Sequence, residues 1–123
     1  MTLDELIAAY RREAIAHGRG LEDGNSRRCN RAHDALAGIR DQLRQSGPQY
    51  QDALLALLDD DNASVRSWAA MDVLQFSPED GVRVLREVAS GPRGMVRLDA
   101  EMVLERWQAG EWHGDSRDIP SAP

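Results

Sequence analysis

The sequence predicts an all-α fold, and three observations carry that prediction. Apolar residues recur at every third or fourth position through six segments, the spacing of single buried helix faces. Helix start and stop signals punctuate the chain between those segments. Alternating Val/Ile/Thr-rich runs are missing and aromatics make up only 5% of residues, which argues against a β-sandwich or barrel.

The first helix starts at Thr2, where Thr2 and Glu5 match a capping box. It carries Leu3, Leu6, Ile7, Tyr10 and Ala14 on one stripe and is expected to stop at the Gly18/Gly20 pair. After "LEDGNS" a second helix is read over residues 27–45, with Cys29, Ala32, Leu36, Ile39 and Leu43 on one face. Pro48 suits the first position of a third helix, where its missing N–H is no loss. That helix holds Leu54, Leu55, Leu57 and Leu58. A fourth is read over 63–76. Ser77-Pro78 opens a fifth, with a cap residue followed by proline, and it carries Val82, Leu85 and Val88. "SGPRG" breaks it, and a sixth runs over 95–108. The aperiodic "AGEWHGDSRDIPSAP" reads as a flexible tail over 109–123.

At 123 residues the chain suits one domain, able to bury a core without disulfides or metals. Its net charge of −6 disfavours nucleic-acid binding, which depends on basic groups that neutralise phosphates. That balance points instead to a basic protein partner. Cys29 is the only cysteine, which excludes an internal disulfide and a cysteine-based zinc site. No run approaches the roughly 18 apolar residues of a membrane span, and the first residues do not form an apolar signal peptide. The expected location is the cytoplasm. All 15 basic residues are arginine, which is read as codon usage rather than chemistry.

Sliding the chain by 31 residues superimposes Leu54 on Leu85, Leu57 on Val88, and Val65-Arg66 on Val96-Arg97. Ala69 then falls on Ala100, Met71 on Met102, and Val73 on Leu104. A two-helix unit used repeatedly at this period is the signature of an α-solenoid. The stretch "LLALLDDDNASVRSWAAMDVL" resembles a HEAT repeat, with a leucine-rich helix, an aspartate corner, then Val-Arg and alanines. The chain as a whole resembles a small uncharacterised bacterial family of HEAT-like domains. That resemblance implies a short α-α superhelix of about three antiparallel hairpins, over residues 2–46, 48–76 and 78–108, forming one domain over 1–108. It also implies a habit of binding macromolecules, and no chemistry. Where the fourth helix has Ala70 and Leu74, the sixth has Glu101 and Glu105, as a solubilised terminal repeat requires. The array is therefore expected to end there, with the chain as the whole protein.

The corner "DDDNASVRSW" invites a metal reading and fails it. Counted as a calcium loop from Asp59, the fifth and sixth positions are Ala63 and Ser64; counted from Asp60, the sixth and twelfth are Val65 and Met71. Arg66 instead falls within the apolar arc of its helix, so it needs a partner. The HEAT resemblance places Asp60 and Arg66 in a structural ladder continued by Arg97. Gly91 stands where Arg97 would need its aspartate, so Arg97 must borrow a carboxylate or face solvent. Asp61 or Asn62 can cap the fourth helix.

No catalytic residue, cofactor site or metal site emerges. Cys29 and His33 lie one turn apart, but Cys29 sits on an apolar stripe and reads as core. His17, at a helix end, and His113 complete no ligand set. The outward faces of the fourth and sixth helices supply the candidate partner-binding residues: Trp68, Met71 and Gln75 on one, Leu98, Met102 and Arg106 on the other. Packing of Trp68 into the core is the competing expectation. The functional expectation is a non-enzymatic, monomeric or weakly dimeric interaction module of adaptor or immunity/antitoxin type. The alternative is a HEAT-like enzyme of the DNA-glycosylase or bilin-lyase sort, which would need a basic groove or features beyond the repeats.

Overall fold

A computed structural model describes residues 1–112. Six helices follow in order: α1 (Leu3–Asp23), α2 (Ser26–Gln45), α3 (Gln49–Leu57), α4 (Ala63–Val73), α5 (Pro78–Ala89) and α6 (Met95–Gln108). No strand occurs among the described residues.

Local chemistry sets most of the boundaries. Thr2 Oγ1 accepts the Glu5 N–H at 3.1 Å while Glu5 Oε1 accepts the Thr2 N–H at 3.2 Å, completing the capping box. Asn25 caps α2 by accepting the Arg28 N–H at 3.0 Å. Asn62 caps α4 by accepting from Ser64 at 2.9 Å and Val65 at 3.2 Å. Ser77 is followed by proline as expected, but its hydroxyl donates to Asp80 at 2.7 Å instead of capping a backbone group. The fourth helix ends at Val73, three residues early, and turns through 74–76.

The first helix departs most from expectation, because α1 runs straight through Gly18 and Gly20 to Asp23. A Cβ on Gly18 would lie 1.8 Å from Ser64 Oγ, and one on Gly20 would lie 2.8 Å from Cys29 Sγ. These glycines bring α4 and α2 close to α1, so their role is packing. The stop comes at Gly24, left-handed at φ 66°, where the Asn25 N–H reaches the Gly20 carbonyl.

Packing follows from α1. It lies against α2 along its length and also touches α3, α4 and α6, while α3–α4, α4–α5 and α5–α6 are neighbouring pairs. As a result α4 is buried on nearly every side, with nine of its eleven residues out of solvent. A helix buried all round is central to its domain. The core gathers Tyr10, Leu36, Leu43, Val65, Val73, Leu74, Val84, Leu85 and Val103.

The expected flexible tail is corrected at its start. Gly110 closes α6 in a left-handed conformation, the Glu111 N–H reaches the Arg106 carbonyl at 2.9 Å, and Trp112 folds back into the core. The rest of that expectation, residues 113–123, lies outside the described residues.

Candidate functional site

The α4 face expected to meet a partner is closed. Trp68 and Met71 are each only 5% exposed, since α1, α3, α5 and α6 all pack against α4. His17 of α1 meets the Trp68 ring edge-on at 5.2 Å, and the Arg40 guanidinium of α2 sits 5.8 Å from its centroid. Both residues leave the list of contact candidates and join the core; Gln75, in the turn after that helix, remains exposed.

Beside Trp68 lies a polar network that none of the sequence patterns singled out. Arg40 and Asp72 form a buried ion pair: Nε donates to Oδ1 at 2.8 Å and Oδ2 at 3.1 Å, and Nη2 also donates to Oδ1. Tyr10 Oη donates to Asp72 Oδ2 at 2.7 Å. Burial pushes the Tyr10 hydroxyl well above its usual range, and the Asp72 charge pushes it further, so it remains a donor. Burial works to lower the Arg40 pKa, but the Asp72 charge and hydrogen bonds outweigh it and raise the net value. The three side chains tie α1, α2 and α4 together. A narrow cleft between α2, α3 and α4 opens onto this pair, rimmed by Arg44, Tyr50 and Gln75.

A second polar group lines a small cavity between α1, α4 and α6: His17, Ser64, Ser67 and Asp99. These are the residue types of a serine triad, yet no hydrogen bond joins either serine to His17 among the described residues. The cavity is about the size of one water molecule. Burial lowers the His17 pKa to about 4, with a smaller push from His33, and raises that of Asp99 to about 6. Cys29 also meets His17. Its thiol donates to the His17 carbonyl at 3.7 Å, not to His33, and burial together with the Asp99 charge raises its pKa.

The raised carboxyl has a thermodynamic consequence. In the folded state Asp99 releases its proton near pH 6, against 3.8 ordinarily, so the native state holds the proton more tightly than the unfolded chain does. Its contribution to stability therefore falls as pH rises from about 4 to 6 and is constant above that, a loss of about 2–3 kcal/mol. Asp99→Asn should stabilise the protein at pH 7 and differ little from wild type near pH 3.5. Chemical denaturation at the two pH values checks this; an equal difference at both would contradict it. Because His17 acts in the opposite direction, losing stability as pH falls from 6.5 through about 4, the comparison must be made between variants.

The ladder residues are corrected in detail. Arg66 is half-buried, and its Nη1 donates to the backbone carbonyls of Asp60 at 2.7 Å and Asp61 at 3.0 Å. Arg97 makes the corresponding bond, Nη1 to the Gly91 carbonyl at 3.3 Å, and its Nε donates to Glu101 at 3.1 Å. The acceptor six residues back is main chain, so glycine serves as well as aspartate. The Asp60 carboxylate is engaged elsewhere, accepting from Arg11 Nε at 2.7 Å and from the Asn62 N–H at 2.9 Å. Burial would raise its pKa, but those bonds and the Arg66 charge hold it below the usual carboxylate range.

What remains open is α6. Among the described residues the exposed large hydrophobics are Met1, Met95 (46%) and Leu98 (54%). Met95 and Leu98 stand one turn apart, with half-buried Met102 one turn further along the same stripe. A broad groove at the N-terminal end of this ridge is lined by Glu22, Arg93, Met95, Arg97, Leu98 and Glu101. The Glu22 carboxylate reaches across from α1 to accept the Val96 N–H at 3.1 Å. Arg106 lies beyond Met102, its guanidinium 5.6 Å from the centre of the Trp112 ring. The described residues hold no group of three or more His, Cys, Asp or Glu arranged for a metal ion. None of their helices is long and apolar enough to cross a membrane.

Comparison with known protein families gives a match. The model of a family described as a domain of unknown function, DUF2019, covers residues 4–108. No curated protein and no solved structure matches the chain.

Proposed function

The chain belongs to this family of DUF2019 domains, and from that premise we propose that it is a non-enzymatic module that binds a protein partner through the outward ridge of α6. The carrying observation is the exposure of Met95 and Leu98 in line with Met102, where the described residues otherwise expose almost no large apolar side chain. Such a patch, with methionines and rimmed by charge, is the composition of a contact surface. Leu98, Met102 and Arg106 keep their place as candidate contact residues, joined by Met95.

The proposed frame is a short HEAT-like superhelix of three hairpins. The 31-residue repeat supports it: Leu54 and Leu85 are buried alike, as are Ala69 and Ala100, and Arg66 and Arg97 bond carbonyls at the same offset. A net charge of −6 favours a basic partner by steering its encounter. An adaptor or an immunity-type protein fits these features.

Affinity capture with wild type and Leu98→Glu as paired baits tests the reading. Because Leu98 is largely exposed, the variant should melt within ~2 °C of wild type, as surface changes usually do. A protein retained by wild type and lost with the variant is the expected result. The same partner retained equally by both would contradict the proposal.

A further inference from the structure

We infer that the α6 ridge seats an amphipathic helix of the partner, one that presents an aliphatic stripe with lysine or arginine on the flank that meets Glu105. This rests on the reading of α6 as the contact face and adds the conformation and charge of its occupant.

The apolar positions step by three and then four, from Met95 to Leu98 to Met102. That is the seam by which two helices interdigitate, each side chain fitting between those of the partner. An extended peptide would need a sheet edge to pair with, and the described residues include no strand. A polyproline segment would need an aromatic-lined groove, and no aromatic residue lines this one. A helix is the occupant that matches the ridge.

Charge selects its chemistry. At about 100° per residue, Glu101 and Glu105 fall together on one flank of the seam, with Arg106 on the other. Glu105 is exposed and has no ion-pair partner among the described residues. Glu22 adds a further carboxylate at the N-terminal end of the groove. Among the described residues Arg97 and Glu101 pair with each other, which leaves Glu105 as the unpaired carboxylate of this flank and Arg93 as an exposed cation at the groove's far end. A second copy of this chain is a poor occupant. In an antiparallel two-fold pairing, like flanks face each other, so the unpaired Glu105 would face the flank that carries its own equivalent.

Two peptides of roughly 14 residues, about the length of α6, serve as probes. Both carry leucine in the same helical seam, one with lysine and the other with glutamate at every remaining position. Binding is measured by isothermal titration against wild type, Leu98→Glu and Glu105→Arg, with circular dichroism to verify folding. The Leu/Lys peptide should bind wild type, and Leu98→Glu should weaken it about tenfold although that change adds a negative charge. Glu105→Arg should weaken the Leu/Lys peptide several-fold and improve the Leu/Glu peptide. If both peptides bind equally and both are lost with Leu98→Glu, the basic occupant is overturned while α6 stands as the contact face. If Leu98→Glu binds the Leu/Lys peptide as tightly as wild type or tighter, attraction is diffuse and the helical seat is overturned. A concentration-dependent dimer abolished by Leu98→Glu would replace the partner helix with a second copy and overturn it too.

Discussion

Asp72→Ala is expected to remove about 3–5 kcal/mol of folding stability, a large part of what a domain of this size has. The substitution leaves the Arg40 guanidinium buried without the carboxylate that accepts three of its hydrogen bonds, and takes away the acceptor of the Tyr10 hydroxyl. Each loss takes a partner from a buried polar group, which is worse than never having placed that group there. Tyr10→Phe, which removes one donor and keeps the ion pair, should lose only about 1–2 kcal/mol. The double variant Arg40→Met/Asp72→Leu should recover the part of the loss due to Arg40, because two apolar side chains need no partners, while the Tyr10 hydroxyl still lacks its acceptor. Urea denaturation of the set checks the order. If Asp72→Ala matched Tyr10→Phe, the ion pair would not be the tie between hairpin and α4.

Trp68→Ala should be comparably severe, about 3–5 kcal/mol, through lost burial and the cavity left behind. Trp68 touches the His17 ring from α1 and the Arg40 guanidinium from α2, so its removal empties the seam where the hairpin covers α4. A contact residue on an open face would behave otherwise, with binding lost and the melting temperature nearly unchanged. Melting of the variant decides between these cases: a drop of less than ~4 °C would return Trp68 to the surface, since 1 kcal/mol shifts a domain of this size by about that much.

The helical class was legible because its signals are local. Caps at Thr2 and Asn62, the helix-opening Pro78, and the break at "SGPRG" act within a turn or two of the residues they organise. Gly18 and Gly20 show where local reading fails. Glycine weakens a helix in isolation, but here it brings Ser64 and Cys29 into contact, and those neighbours lie 46 and 9 residues away along the chain. The outward face assigned to α4 fails for the same reason: which side of a helix is open depends on what else packs against it.

The ion pair could have been found from sequence. Arg66 attracted attention as an arginine within an apolar arc, and the same argument applies to Arg40. It stands four residues after Leu36 and three before Leu43, on the buried stripe of α2. Asp72 stands seven after Val65, on the buried side of α4. A search for charges on apolar stripes would have named both, although only the fold pairs them. Of the candidate surface, Leu98 and Met102 were legible through the repeat. Met95 was not, because the equivalent residue in the other copy is Ser64, which is buried against α1.

The central claim is that the helices packed around α4 close its face and leave the ridge of α6 as the open apolar surface among the described residues. The four methionines are native reporters of it, since oxidation by peroxide follows exposure of the thioether. Timed oxidation of the folded protein, read site by site by mass spectrometry, should modify Met1 and Met95 first, Met102 more slowly and Met71 last. Met71 oxidising as fast as Met95 would mean that the α4 face is open, and would contradict the account.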